Sequence, residues 1–242
     1  MRRIRCFVDM PLQPGNLVGL PAEARAHLTK VLRLRDGDAI TLFNGDGHDY
    51  PSHLVGAGAG TSAQVVSRDA AVAETRLSIT LVQGLARGEK MDWIIQKAVE
   101  LGVTRIVPAT TQRSEVRLDA ERAEKRLVHW RRVIESACEQ CGRARIPTID
   151  APGPLHAILD AIDAPLRVVL DPEGDTRLAD LATPYTASAA IAIGPEGGFD
   201  DHEIAAFARA DWRRLRLGDR ILRTETAGVV GVVALLAAVG EY

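Results

Sequence analysis

The sequence predicts an α/β fold, with a largely parallel sheet covered by helices and a small β-rich domain ahead of it. Two changes of pattern carry this reading. Through residue 72, short apolar or alternating runs are broken by turn signals; from residue 73, apolar strands alternate with amphipathic helices. A third observation concerns ligands: three strands of the second part end in loops rich in glycine or charge. With 242 residues, division into domains at 1–72 and 73–242 is expected over a single compact core.

In the first part, runs at 5–8, 39–44, 53–55 and 63–67 read as strands. They are separated by Asp36-Gly37, Asn44-Gly45-Asp46-Gly47 and the glycine-rich stretch 56–60. One helix, 22–32, interrupts them with Ala26, Leu28, Val31 and Leu32 at helical spacing. Short strands closed by tight turns point to a small barrel. The stretch 56–60 has the composition of a nucleotide loop, but a strand-like run follows it, so a hairpin turn is expected there.

In the second part, 77–82 reads as a strand and 89–101 as a helix whose buried face is Met91, Ile94, Ile95, Ala98 and Leu101. Gly102 ends that helix, and 105–107 is the next strand. Asp119 suits the N-cap of a long helix running to Gly142. Further strands are expected at 166–170, 189–193 and 214–217, and further helices at 155–161, 203–210 and 225–239.

Hydrophobic residues at 46% and charged residues at 26% describe a globular protein able to build its core without disulfides or metal. The odd set Cys6, Cys138 and Cys141 suggests reduced thiols, and a lone C-x-x-C inside a helix is poor support for zinc. The six histidines form no ligand cluster, so no metal is expected. The start is basic but lacks a signal peptide's apolar run, and the longest apolar stretch, 227–239, is too short to span a bilayer. A cytoplasmic protein without a membrane partner follows as the expectation. Net charge is −2, yet residues 105–145 hold ten Lys and Arg against six Asp and Glu. That local excess fits either a confined phosphate-contact surface or a solvated helix face laced with ion pairs.

Ligands of open α/β sheets bind at the carboxyl ends of strands. Leu170 is followed by Asp171-Pro172-Glu173-Gly174, Ile193 by Gly194-Pro195-Glu196-Gly197-Gly198-Phe199, and Leu217 by Gly218-Asp219-Arg220-Ile221-Leu222-Arg223-Thr224. Three glycines around a rigid proline let backbone approach a ligand closely. Asp200, with Glu203 three residues on, forms a capping-box pattern that ties this loop to a helix start. Glu196 suits either a ligand hydroxyl or amine, or a brace on backbone amides. No G-x-G-x-x-G follows a strand and no G-x-x-x-x-G-K-[ST] occurs, which speaks against dinucleotide and P-loop sites.

The runs GPEGGF and LGDRILRTETA, in this order near the C-terminus, resemble the SPOUT class of methyltransferases. The likeness is closest to its RsmE family, which methylates N3 of a uridine in 16S small-subunit ribosomal RNA. RCFV, HLTKVLRLRDGD, RGEKMDWIIQKAVELGV, RSEVRL and ACEQCGRARIP extend the resemblance along the whole chain. It implies a PUA-like β-barrel, then a SPOUT domain whose C-terminal segment forms a trefoil knot, a topology no periodicity reveals. It also implies S-adenosylmethionine as cofactor, bound by Leu170, Gly194, Pro195, Glu196, Gly197, Gly198, Leu217, Gly218, Ile221, Leu222, Arg223, Thr224 and Ala227. The expected partners are 16S rRNA, within the small ribosomal subunit, and a second copy of the chain, for which 227–239 is an interface candidate. The sequence departs from the family at Pro51-Ser52-His53, where a cleaner strand is usual, and at Asp200, where Ser or Thr is common.

Methyl transfer to N3 needs alignment, exclusion of water and stabilisation of a base that loses its imide proton. Arg223 is the first candidate for that stabilisation, unless Glu196 or Glu225 sequesters it in an ion pair; Glu196 is the second catalytic candidate. The spacing does not choose between Glu139 and Glu225 as general base. Arg3, Arg5, Lys30, Arg33, Arg35, Lys90, Arg113 and Arg143 are candidate phosphate contacts. With aromatics at 4%, extended base-stacking platforms are not expected. The competing readings are a SPOUT enzyme acting on another RNA site or a ribose 2′-OH, and a non-catalytic RNA-binding assembly factor.

Overall fold

The structure is a computed structural model that describes residues 4–56, 60–72, 74–181 and 187–241. It forms two compact units, Met1–Glu74 with Cys138–Ile146, and Thr75–Ala137 with Pro147–Tyr242. Residues 138–146 group with the first unit although they lie far along the chain from it.

The first unit contains β1 (Arg5–Phe7), β2 (Leu17–Gly19), α1 (Ala22–Ala26), a π-helical turn (His27–Val31), β3 (Ala39–Phe43), β4 (His48–Val55), β5 (Ser62–Val65) and β6 (Asp69–Ala70). The strand order is β1-β3-β4-β5-β2, with β6 beside β4. The closed barrel of the sequence reading is thus an open sheet: among the described residues β1 and β2 do not pair, and three-residue edge strands offer few hydrogen bonds for closure. Leu42, Leu54, Ala63, Val18 and Leu28 fill its core. β4 is longer than expected and runs straight through Pro51, which has no N–H to donate but whose carbonyl accepts from the Val66 amide. The expected helix 22–32 changes midway from α to π, a wider turn closed by the Leu32 amide on the His27 carbonyl. The 56–60 turn lies largely outside the described residues.

The second unit contains β7 (Ser78–Gly84), α2 (Lys90–Glu100), β8 (Arg105–Thr110), α3 (Ala120–Cys141, whose last residues belong to the first unit), β9 (Thr148–Ile149), β10 (Gly153–Pro154), α4 (Leu155–Ala161), β11 (Leu166–Leu170), a 3-10 turn (Leu178–Leu181), β12 (Ser188–Ile193), α5 (Asp201–Arg209), β13 (Arg213–Leu215) and α6 (Thr224–Ala238). The sheet order is β10-β8-β7-β12-β11-β13, with β9 beside β8, and every pairing is parallel. Alternation along the strands divides the core. Val82, Ala190, Ala192 and Val169 pack with α4, α5 and the edge-to-face rings of Phe199, Phe207 and Trp212. On the other face α6 lies so close that a Cβ on Gly231 would fall 2.6 Å from Ile191 Cδ1. Parallel strands put all their carboxyl ends at one edge, where β7, β12, β11 and β13 are consecutive neighbours.

Candidate active site at the carboxyl edge of the sheet

A cleft of about 730 Å³ opens at this edge, within the range of small-molecule and cofactor sites. Its walls include Leu170, Gly194, Pro195, Glu196, Gly197, Gly198, Leu217, Gly218, Ile221, Leu222, Arg223, Thr224 and Ala227, every residue nominated for the cofactor from the sequence. The strand order explains the meeting of loops distant in sequence, because β11 sits between β12 and β13. Leu170, Ile193, Leu217 and Leu222 supply apolar surface, while the glycine loop and residue 218 offer backbone.

The glycine loop is held by close contact. A Cβ on Gly84, at the end of β7, would sit 2.5 Å from Pro195 Cδ, and one on Gly194 would sit 3.0 Å from Gly198 Cα. Gly198 has φ +68°, open to glycine at no steric cost. Arg113 reaches the loop from the segment after β8; its Nη1 donates to the carbonyls of Gly197 at 3.3 Å and Phe199 at 3.0 Å. The capping box is formed in both directions between Asp200 and Glu203, and Glu203 also accepts from the Gln112 amide at 2.8 Å.

Glu196 acts as a brace. Its Oε1 accepts from the Arg87 amide at 3.1 Å and from Lys90 Nζ at 3.0 Å. Burial pushes its pKa up, but its own amide, the Lys90 ammonium and the Arg87 amide together outweigh this and hold it below the usual carboxylate range. Lys90 also stands 3.9 Å from Glu225, whose Oε2 is buried without a hydrogen-bond partner among the described residues.

Thr224 opens α6 and is buried. Its hydroxyl donates to the Gly194 carbonyl at 2.6 Å and accepts from Gln83 Nε2 at 3.0 Å. The Arg223 guanidinium, just ahead, has no hydrogen bond or ion pair among the described residues, so neither Glu196 nor Glu225 sequesters it. Also lining the cleft, Arg214 Nε pairs with the buried Asp171 carboxylate at 2.7 Å, whose other oxygen accepts from the Glu173 amide at 2.9 Å.

Two of the candidate phosphate contacts are engaged by partners within the first unit. The Arg5 side chain is 5% exposed, paired with Asp49 at 2.5 Å, bonded to the Arg143 carbonyl and stacked 4.6 Å from the Phe43 ring centroid. Arg143 is 7% exposed and paired with Glu74 at 2.6 Å. Both are committed inside the first unit. Lys30, Arg33 and Arg35 are exposed, and Arg3 lies outside the described residues. Lys90 and Arg113 both line the cleft, where they hold Glu196 and the glycine loop. Of the two possible bases, Glu225 lines the cleft, whereas Glu139 sits in the first unit, accepting from the Phe7 amide at 3.0 Å. Burial raises the Glu139 pKa. Sequence reasoning missed Arg214, Ile204 and the Gln83–Thr224 bond; the rule about carboxyl strand ends, applied to β7 and β13, would have found all but Ile204. Cys6 and Cys138 are buried free thiols, each with its pKa pushed to about 12, first of all by burial.

Comparison with known proteins agrees along the whole chain. Residues 73–236 match the RNA methyltransferase domain family and residues 20–65 the RNA methyltransferase PUA domain family. Ribosomal RNA small subunit methyltransferase E of Mycobacterium bovis is 31% identical over 95% of this chain and 89% of its own length. The protein of that name from Bacillus subtilis is 28% identical over 96% of this chain and 95% of its own. The crystal structure of the Neisseria gonorrhoeae enzyme of that name, bound to S-adenosylmethionine, superposes with a TM-score of 0.91 at 33% identity, covering 99% of both chains. A Legionella pneumophila chain in complex with the same cofactor has a TM-score of 0.93 at 36% identity over 98% of both. The chain is an RNA methyltransferase and belongs to the ribosomal RNA small subunit methyltransferase E family.

Proposed function

We propose that this protein transfers a methyl group from S-adenosylmethionine to N3 of a specific uridine in 16S rRNA. The observation that carries the reading is the cleft, framed by the glycine loop and the 217–227 segment, with the Arg223 guanidinium, unpaired among the described residues, on its wall. The residues present suit that cofactor. Leu170, Ile193, Leu217 and Leu222 form an apolar slot for an adenine, and the glycine loop that borders it is packed so closely that a Cβ at Gly84 or Gly194 would meet the loop's own atoms. Carboxylates of Glu196 and Glu225 lie on the same wall for a cationic ligand. When bound, the cofactor supplies an electrophilic methyl group. The protein's part is to orient, to exclude water and to stabilise charge. Arg223 faces the negative charge that builds on a uracil losing its imide proton. Lys90 and Arg87 fix Glu196, which in turn positions the loop.

The same reading includes domains at 1–72 and 73–242, a C-terminal trefoil knot, cytoplasmic location and a substrate within the small ribosomal subunit, all drawn from family membership. It also includes a homodimer. In support, α6 has no polar face, and Val230 and Val233, one turn apart, are 39% and 37% exposed. The test is to incubate the protein with labelled cofactor and unmethylated small subunits, then digest the RNA to nucleosides. N3-methyluridine is the expected product; label in a 2′-O-methyl nucleoside or another base would refute the assignment.

A further inference from the structure

Ile221 is 83% exposed, at the lip of the cleft between Arg220 and Arg223. A lone exposed isoleucine is ordinary on a protein surface, so its setting decides what it means. Three features set it apart. First, the segment that bears it is anchored at both ends. Arg216 grips the near end, with its Nε on the Gly218 carbonyl at 3.2 Å and Nη2 on the Asp219 carboxylate. The buried Thr224 fastens the far end to the Gly194 carbonyl. Second, the guanidinium groups of Arg220 and Arg223 are both exposed and make no hydrogen bond or ion pair among the described residues. Third, isoleucine is β-branched and stiff at χ1, so little rotamer freedom is lost when it is inserted.

We infer that Ile221 is a wedge that enters the base stack of the RNA substrate beside the target nucleotide. Arg220 takes a phosphate on the outer side, and Arg223 faces the extruded base on the cleft side. The inference rests on the proposed RNA substrate and deepens it. A base whose N3 is paired or stacked cannot reach a pocket until it leaves the helix, and apolar side chains commonly hold open the gap it leaves. Two cations, unpaired among the described residues, flank the apolar tip and favour a polyanion over a second copy of the chain as its occupant.

The test compares wild type, Ile221→Leu and Ile221→Ser on unmethylated small subunits and on a matching synthetic RNA. A second RNA carries an abasic site beside the target, which removes the stack to be opened. Cofactor affinity and mass by light scattering are measured in parallel. Ile221→Ser should lower kcat/KM on the intact RNA about tenfold or more. It should regain most of that loss on the abasic RNA, Ile221→Leu should lose less than Ile221→Ser on the intact RNA, and the loss should exceed any change in cofactor affinity while mass stays the same. Wild-type rates for Ile221→Ser, or an equal defect on both RNAs, would overturn the wedge. A changed mass would assign the side chain to a second copy, and a lost cofactor affinity would assign it to the pocket; either overturns the inference. If wild type itself transfers no methyl to RNA, the substrate reading fails, and the wedge with it.

Discussion

Thr224 Oγ1 donates to the Gly194 carbonyl at 2.6 Å while accepting from Gln83 Nε2, so one hydroxyl joins the end of β7, the glycine loop and the first turn of α6. Gln83 is fully buried, and water cannot replace a lost partner there. Thr224→Val keeps the shape and removes both bonds. A loss of about 1–3 kcal/mol is expected, the usual cost of leaving buried polar groups unpaired. Denaturant midpoints check this, and cofactor affinity should fall with them.

Close backbone approach separates two glycines. A Cβ on Gly231 meets the ends of two flexible side chains, Ile191 Cδ1 at 2.6 Å and Leu170 Cδ1 at 3.0 Å. Gly231→Ala should cost about 1–3 kcal/mol, typical of overpacking that side chains can relieve. A Cβ on Gly174 meets backbone, the Arg214 carbonyl oxygen at 2.4 Å and its carbon at 2.8 Å. Gly174→Ala should therefore lower the melting temperature more than Gly231→Ala; the reverse order would contradict this packing.

Asp171 is 9% exposed and depends on Arg214. Removing one partner of a fully buried pair costs about 3–5 kcal/mol, and because Arg214 is 34% exposed the expected loss for Arg214→Ala is smaller, about 1–3 kcal/mol. Asp171→Asn combined with Arg214→Ala should recover part of it, since no unpaired charge then remains. Thermal melts of the two single variants and the double variant settle the coupling.

Glu196 makes the cleft acid-sensitive. Its folded pKa lies below the ordinary carboxylate value, so its contribution to stability is complete above that value and is lost as pH falls through the lowered one. Between neutral pH and the ordinary carboxylate range little change is expected. Below it, stability should drop more steeply for wild type than for Glu196→Gln. Parallel acid titrations of the two proteins would contradict the brace.

Among the described residues Arg223 has no partner that its loss would strand. Arg223→Ala should leave stability and cofactor affinity near wild type while turnover falls about a hundredfold or more, the scale for removing a stabilising charge. Unchanged turnover would dismiss it.

The second unit was legible because its elements have strong periods. Residues 155–161 and 166–170 coincide with α4 and β11, and the capping pattern at Asp200 and Glu203 formed as written. The two-residue strands β9 and β10 are too short for any period to show. The ion pairs of Arg5 and Arg143 were not legible for a different reason. A buried arginine and an exposed one are the same letter, and only the fold brings Asp49 and Glu74 to them. The cleft walls were readable from loop composition at strand ends, but the cross-links that hold them, Arg113 to Gly197 and Phe199 and Lys90 to Glu196, join residues 84 to 106 positions apart.

The most direct test of the account is a calorimetric titration of the purified protein with S-adenosylmethionine, run beside Gly194→Val. Saturable binding at one site per chain is expected for the native protein, with displacement by S-adenosylhomocysteine. The variant should lose binding, because its side chain would meet Gly198 and Phe199 backbone within 3.2 Å. Absence of binding by the native protein, or binding untouched by the substitution, would contradict the assignment of this cleft.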